Sequence, residues 1–196
     1  SIRATSKSAR SSVVTRSLSE GGELIDRSTT VTDLFTDFGF AVDQTVTSEV
    51  YDSGAFVKTE ERVIHNSDID NRGDSATQTI KSSITDDNGA TYDLVNYQVL
   101  TNRKFDSGHN IENQMILTYD TDIVSTQKLL DCQEVRSSGF KSSGVAAIQT
   151  IATFKDSSKA DLMDVKVVEN TDVTIQGYVK ASTVTRYDGL VAYDLS

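Results

Sequence analysis

The sequence predicts an all-β protein: an elongated, sandwich-like antiparallel β-sheet module with few or no helices. Three observations carry that expectation. Proline is absent from all 196 residues, against roughly 5% in average soluble chains, so every backbone N–H along a strand can join a ladder. Ser and Thr make up roughly a quarter of the chain and alternate with Val and Ile over long stretches, the period-2 pattern of strands with one wet face. Turn-forming residues separate about ten such runs at short intervals, as antiparallel hairpins require.

Residues 75–101 state the pattern most plainly. Two β-type runs flank Asp87-Asn88-Gly89. Both central residues of a type I′ turn need φ > 0, which Asn and Gly tolerate. Ala76, Ile80 and Ile84 fall on one side of the first arm, and Thr77, Thr79, Lys81 and Ser83 on the other. The second arm (Tyr92, Leu94, Val95, Tyr97, Val99, Leu100) is apolar on both parities and is expected to lie deeper.

Taken in order, residues 1–27 form a basic Ser-rich arm and a Gly hinge. Arg3, Lys7, Arg10 and Arg16 come with no acid among the first sixteen positions, which reads as a solvated tail, and Gly21-Gly22 marks a loop. Residues 28–196 are expected to form a single antiparallel β module. Thr32 or Asp33 suits a helix cap, but the surrounding residues favour strand. Phe38, Phe40, Val42, Val46 and Val50 share one parity, and Asp43, Thr45, Thr47 and Glu49 the other, predicting one long half-buried strand. After a turn at Asp52-Ser53-Gly54, residues 55–65 return as a strand. Its charged centre (Lys58, Glu60, Glu61, Arg62) fits an edge or a solvent-facing position.

Residues 66–74 and 102–110 read as polar loops. Residues 111–126 read as an extended strand with Met115, Leu117 and Tyr119 on one side, and 127–135 and 145–155 as further strands. Residues 164–185 read as two alternating arms about Glu169-Asn170-Thr171-Asp172. No fixed-period repeat of the solenoid or propeller kind is expected.

The formal charge of −10, without a basic stripe, argues against nucleic acid, because phosphate neutralisation by Lys and Arg supplies most of that affinity. No apolar run reaches the roughly 18 residues of a membrane-spanning helix. Cys132 is alone, so no internal disulfide forms. The chain begins at Ser1 without a methionine, which leaves open whether residues before it were removed.

Catalytic signatures are not found. Asp68, Asp70 and Gly73 match positions 1, 3 and 6 of a twelve-residue calcium loop, with Asp74 beside them. Arg72 in the ligand ring and Thr79 in place of the final Glu defeat that pattern. The stretch reads as a solvated turn, with Asp68, Asp70 and Asp74 as the only metal candidates. Cys132 reads as a small buried hydrophobe, and His65 and His109 stand in or beside polar loops. No cofactor and no enzymatic activity are expected.

Two pieces resemble the aerolysin-type family, in its epsilon-toxin/mosquitocidal-toxin branch. VIHNSDIDNRGDSATQTIKSSIT (63–85) is similar to that family's polar Asn-Ser-Asp loop and following Thr-Gln-Thr strand. VVENTDVTIQGYVKAST (167–183) is similar to its late strand pair. The resemblance covers about a fifth of the chain. It implies an elongated twisted β module, secretion, and oligomerisation on membranes by hairpin insertion, without enzymatic chemistry.

The expectation is therefore a secreted, non-enzymatic, self-associating β protein with membrane or lipid as a partner. One alternative is a carrier of a small apolar ligand such as a lipid or pigment, with Phe38, Phe40, Met115, Leu117 and Tyr119 as candidate lining. The other is a structural subunit of an extracellular assembly.

Overall fold

The computed structural model describes residues 10–17 and 22–188. Its eleven strands form one antiparallel sheet, and no helix occurs among the described residues. The strands are β1 (Arg10–Ser17), β2 (Leu24–Phe35), β3 (Ala41–Asp52), β4 (Ala55–Ile69), β5 (Ser75–Ile84), β6 (Asp93–Phe105), β7 (Ile111–Tyr119), β8 (Leu129–Ser138), β9 (Ile148–Phe154), β10 (Leu162–Val173) and β11 (Val179–Tyr187). Their order in the sheet is their order in the chain. The chain falls into two compact units, residues 1–97 with 120–125 and residues 98–119 with 126–196.

Five hairpins share one plan. β2–β3, β4–β5, β6–β7, β8–β9 and β10–β11 close through five-residue turns at 36–40, 70–74, 106–110, 141–145 and 174–178. In each turn the fourth residue donates its N–H to the first residue's carbonyl at 2.9–3.3 Å. The first residue donates to the fifth residue's carbonyl at 2.8–3.0 Å. The fourth residue is left-handed: Gly39, Gly73, Gly144 and Gly177 have φ of 87, 95, 80 and 89°, and His109 has 66°. This is a three-residue hairpin loop, a tight turn followed by a bulge residue that favours glycine. In four turns the first side chain also accepts the fifth N–H: Thr36 from Phe40 (3.1 Å), Asp70 from Asp74, Asp106 from Asn110 and Thr174 from Tyr178 (2.9 Å each).

These turns begin 33–36 residues apart, so the expectation of no fixed period is corrected. The strands after the turns repeat as well. Four residues past the turn stand Gln44, Gln78, Gln114 and Gln149, with Ser182 in the last hairpin. Each Gln Nε2 donates across its own hairpin, to Thr32 Oγ1 (3.3 Å), Asn66 Oδ1 (2.7 Å), Asn102 Oδ1 (2.7 Å) and Ser137 Oγ (3.2 Å).

The same plan joins successive hairpins. Asn66 Nδ2 donates to the Ala41 carbonyl (3.2 Å), and Asn170 Nδ2 to the equivalent Ala146 carbonyl (2.9 Å). The fifth residue of one turn also lies against the fourth of the next. A Cβ added at Gly73 would meet the Phe40 ring at 2.7 Å, and one at Gly144 would meet Asn110 Oδ1 at 3.1 Å.

The first unit is held by cross-strand pairs more than by a buried core. Arg27 reaches Glu49 through Nε and Nη2 (2.8 Å for the latter), and its guanidinium lies 4.2 Å from the Phe56 ring centroid. Tyr51 meets Phe56 edge to face at 5.1 Å. Such pairs contribute roughly 0.2–1 kcal/mol each.

The second unit has an apolar core on one sheet face. Leu117, Cys132, Phe154 and Leu162 align across four strands, and Met115, Glu134, Ala152, Val165 and Tyr187 align in the next row. Cys132, Ala152, Phe154 and Val165 are buried at its centre. Full burial of a Val or Phe side chain stabilises by roughly 1.5–3 kcal/mol.

Several boundaries differ from expectation. Residues 10–17, expected within a solvated arm, form β1; Val13, Val14 and Thr15 are β-branched, the strand pairs with β2 over its length, and Arg16 pairs with Asp26. The strand expected from Phe38 begins at Ala41, because 36–40 turn. β4 is interior, between β3 and β5; of its charged centre Arg62 is exposed, while Lys58, Glu60 and Glu61 are half-buried. Residues 66–69 and 102–105, expected in loops, extend β4 and β6, while β7 ends early at Tyr119. β10 continues through residues 169–172, with register shifts against β11 between Asn170 and Val173, and the chain turns at 174–178, leaving Ile175 86% exposed.

Candidate functional site

The five apolar lining candidates have separate surroundings within their own units. Phe38 is at the tip of the first turn, 79% exposed, where Gly39 reverses the chain. Phe40 covers Gly73. Met115 and Leu117 pack against Cys132, Ala152, Phe154 and Val165 as part of the core. Tyr119 ends β7 opposite Leu129. Phe38 and Phe40 belong to the first unit and the other three to the second.

The three calcium candidates are engaged by the protein itself. Asp70 Oδ1 accepts the N–H groups of Asp74 (2.9 Å) and Arg72 (2.8 Å), and these bonds, Asp74 first, hold its carboxyl below the usual range. Asp68 Oδ2 accepts the Thr77 hydroxyl (3.4 Å), and Asp74 faces Arg72 at 3.8 Å. Among the described residues no three His, Cys, Asp or Glu side chains are grouped to hold a metal.

Cys132 is fully enclosed, and burial pushes its thiol pKa up, the reverse of what a nucleophile needs. His65 Nδ1 lies 2.6 Å from Asp43 Oδ1, both side chains about half exposed. His109 occupies the left-handed position of the third turn.

The strongest charge cluster is one that no spacing in the sequence announces. Glu134 is 1% exposed, and its carboxylate receives Arg103 Nη1 (2.9 and 3.0 Å), Arg136 Nη1 (2.9 Å) and Lys159 Nζ. Burial alone would raise its pKa; the bonds from Lys159, Arg136 and Arg103 outweigh that and hold it below the ordinary value. Arg136 is braced by Asn113 Oδ1 at 2.6 Å. Three cations on one buried carboxylate make a structural clasp beside the core. Arg136 shares β8 with Glu134, while Arg103 comes from β6 and Lys159 from the loop after β9, so the fold brings distant residues onto one carboxylate.

Charge is uneven between the units. Residues 1–97 with 120–125 hold eighteen acidic and nine basic residues, while the second unit holds eleven and ten. Two open concavities of about 370 Å³ each are found in the second unit. One has Arg136, Asn113 and Thr150 along its floor, with Lys104 and Glu112 beside them, 2.9 Å apart. The other lies between the turns at 106–110 and 141–145 and is lined by Gln114 and Gln149 of the repeated motif. The recurrence of Gln four residues past a turn, at Gln44, Gln78, Gln114 and Gln149, was the signal that could have found it.

No protein-family model, no curated protein and no solved structure matches this chain.

Proposed function

We propose that this chain is a non-enzymatic β-hairpin repeat scaffold that acts through surface contact, by binding and self-association, as a subunit of an extracellular assembly. The observation that supports this best is the recurrence of one turn, one Gln bond and one junction between neighbouring hairpins. Repeat architectures of this kind serve as extended surfaces whose stability comes from nearest neighbours. The outermost strands, β1 and β11, add a second support. Side chains along β11 are exposed through Arg186, and an outer strand of a sheet is a natural template for pairing with another chain.

The pore-forming form of this reading draws no support from β3 and β4. Arg62 and Glu60 share a face with Val46, Val50, Val57 and Ile64, and charge at the lipid face of a membrane strand is costly. The carrier form draws none from the scattered lining candidates.

The test is sedimentation velocity from about 1 µM to about 1 mM protein, which spans weak association. Mass that grows with concentration supports the proposal. A monomer throughout would count against self-association.

A further inference from the structure

We infer that the concavity between the third and fourth turns is a binding site for a neutral saccharide. The inference deepens the contact reading above and rests on it. The concavity measures about 370 Å³, within the roughly 300–1,000 Å³ of ordinary small-ligand pockets. Its wall combines His109, Asn110, Gln114, Ser137, Phe140 and Gln149.

Three features define the ligand class. First, no Asp, Glu, Lys or Arg lines the concavity, although such residues make up 24% of the chain. A charged ligand finds no counter-ion there. Second, Gln114 and Gln149 spend one Nε2 hydrogen on Asn102 and Ser137. Each amide retains its oxygen and a second hydrogen, an acceptor and a donor side by side, which is the pairing a sugar hydroxyl needs. Third, Phe140 is half-buried in the wall and supplies an apolar patch for the C–H face of a sugar ring.

The third turn then departs from its repeat at the residue that reaches this site. Four of the five turns place Gly at the left-handed position, whereas the third places His109 there at φ 66°. A non-glycine residue in that region costs of order 1 kcal/mol, and such strain concentrates where a side chain is used. The imidazole puts a polar ring among the residues lining the concavity, where the other hairpins have glycine.

The test is NMR titration of the ¹⁵N-labelled full chain with cellobiose, lactose, maltotriose and N,N′-diacetylchitobiose. Shifts centred on His109, Gln114, Phe140 and Gln149, with millimolar affinity for at least one sugar, are expected. His109→Gly restores the repeat's own residue, so it keeps the fold; it is expected to weaken binding about tenfold, as is Gln114→Ala. Absence of shifts with all four sugars would overturn the site, and so would undiminished binding by His109→Gly. Sugar recovered intact supports the contact reading. Cleaved sugar would overturn that reading while leaving the site in place.

Discussion

The ring of Phe40 lies against Gly73 so closely that a methyl group on Gly73 would sit 2.7 Å from two of its carbons. The two residues hold equivalent places in successive turns, the fifth of one and the fourth of the next. This junction ties the first hairpin to the second, and Asn66 reinforces it through the Ala41 carbonyl. Gly73→Ala therefore meets two costs. Its φ of 95° disfavours a side chain by about 1–2 kcal/mol, and overpacking adds about 1–3 kcal/mol. Gly39→Ala has φ 87° but nothing within 4 Å, so it incurs only the first. Chemical denaturation of the two variants should show the larger loss for Gly73→Ala. Equal losses would mean that the junction is loose.

Glu134→Gln should be the most damaging conservative substitution in the second unit. It leaves Arg103, Arg136 and Lys159 around a neutral amide, and breaking a buried ion cluster costs about 3–5 kcal/mol. Denaturant melts would measure it.

The same carboxylate predicts an acid limb of stability. Its folded pKa lies below the unfolded value of about 4.3, so its contribution is present above that pH and is lost as pH falls through the folded pKa. Wild-type stability should decline on acidification below about pH 4.5, with a shallower slope in Glu134→Gln. Glu49, held low mainly by Arg27, contributes with the same sign, so some slope should persist in the variant. Melting curves at a series of pH values would check it.

Asp87 gives a local titration. Its carboxyl is held well below the usual range, first by the Thr91 hydroxyl (2.6 Å) and then by the Thr91 N–H (2.9 Å) and the Thr85 hydroxyl (2.8 Å). Thr91→Val removes the leading donor, and the Asp87 side-chain carboxyl carbon (Cγ) should then titrate at a higher pH by ¹³C NMR. An unchanged midpoint would show that the loop is not closed in solution as described.

Some of this was legible from residue order. Asn88 and Gly89 do take φ of 59 and 87°, as an Asn-Gly pair between strand-like runs requires, and Ser53 and Gly54 do likewise at 48 and 91°. Alternation and β-branched runs located most of the strands, but their ends were missed wherever a polar strand ran into its turn. Asn66 and Asn102 read as loop residues in sequence, yet each is fixed within a ladder by a Gln twelve positions on. The repeat was hidden because its spacing drifts and because Asp, Thr and Lys stand interchangeably at the first turn position. The Glu134 clasp could not be read at all. Arg103 and Lys159 stand 31 and 25 residues from Glu134 in the chain, and only the folded sheet and its loop bring them to it.

A repeat scaffold requires successive hairpins to be interchangeable units. Removing residues 36–69 joins Phe35 to Asp70, keeps Thr32 opposite Gln78, and takes out one full repeat. Removing residues 45–69 takes out fewer residues but leaves two turns only four residues apart. Circular dichroism with thermal melting should show a cooperative β fold for the first deletion and its loss for the second. Equal unfolding of both proteins would contradict the repeat, and with it the scaffold built on it.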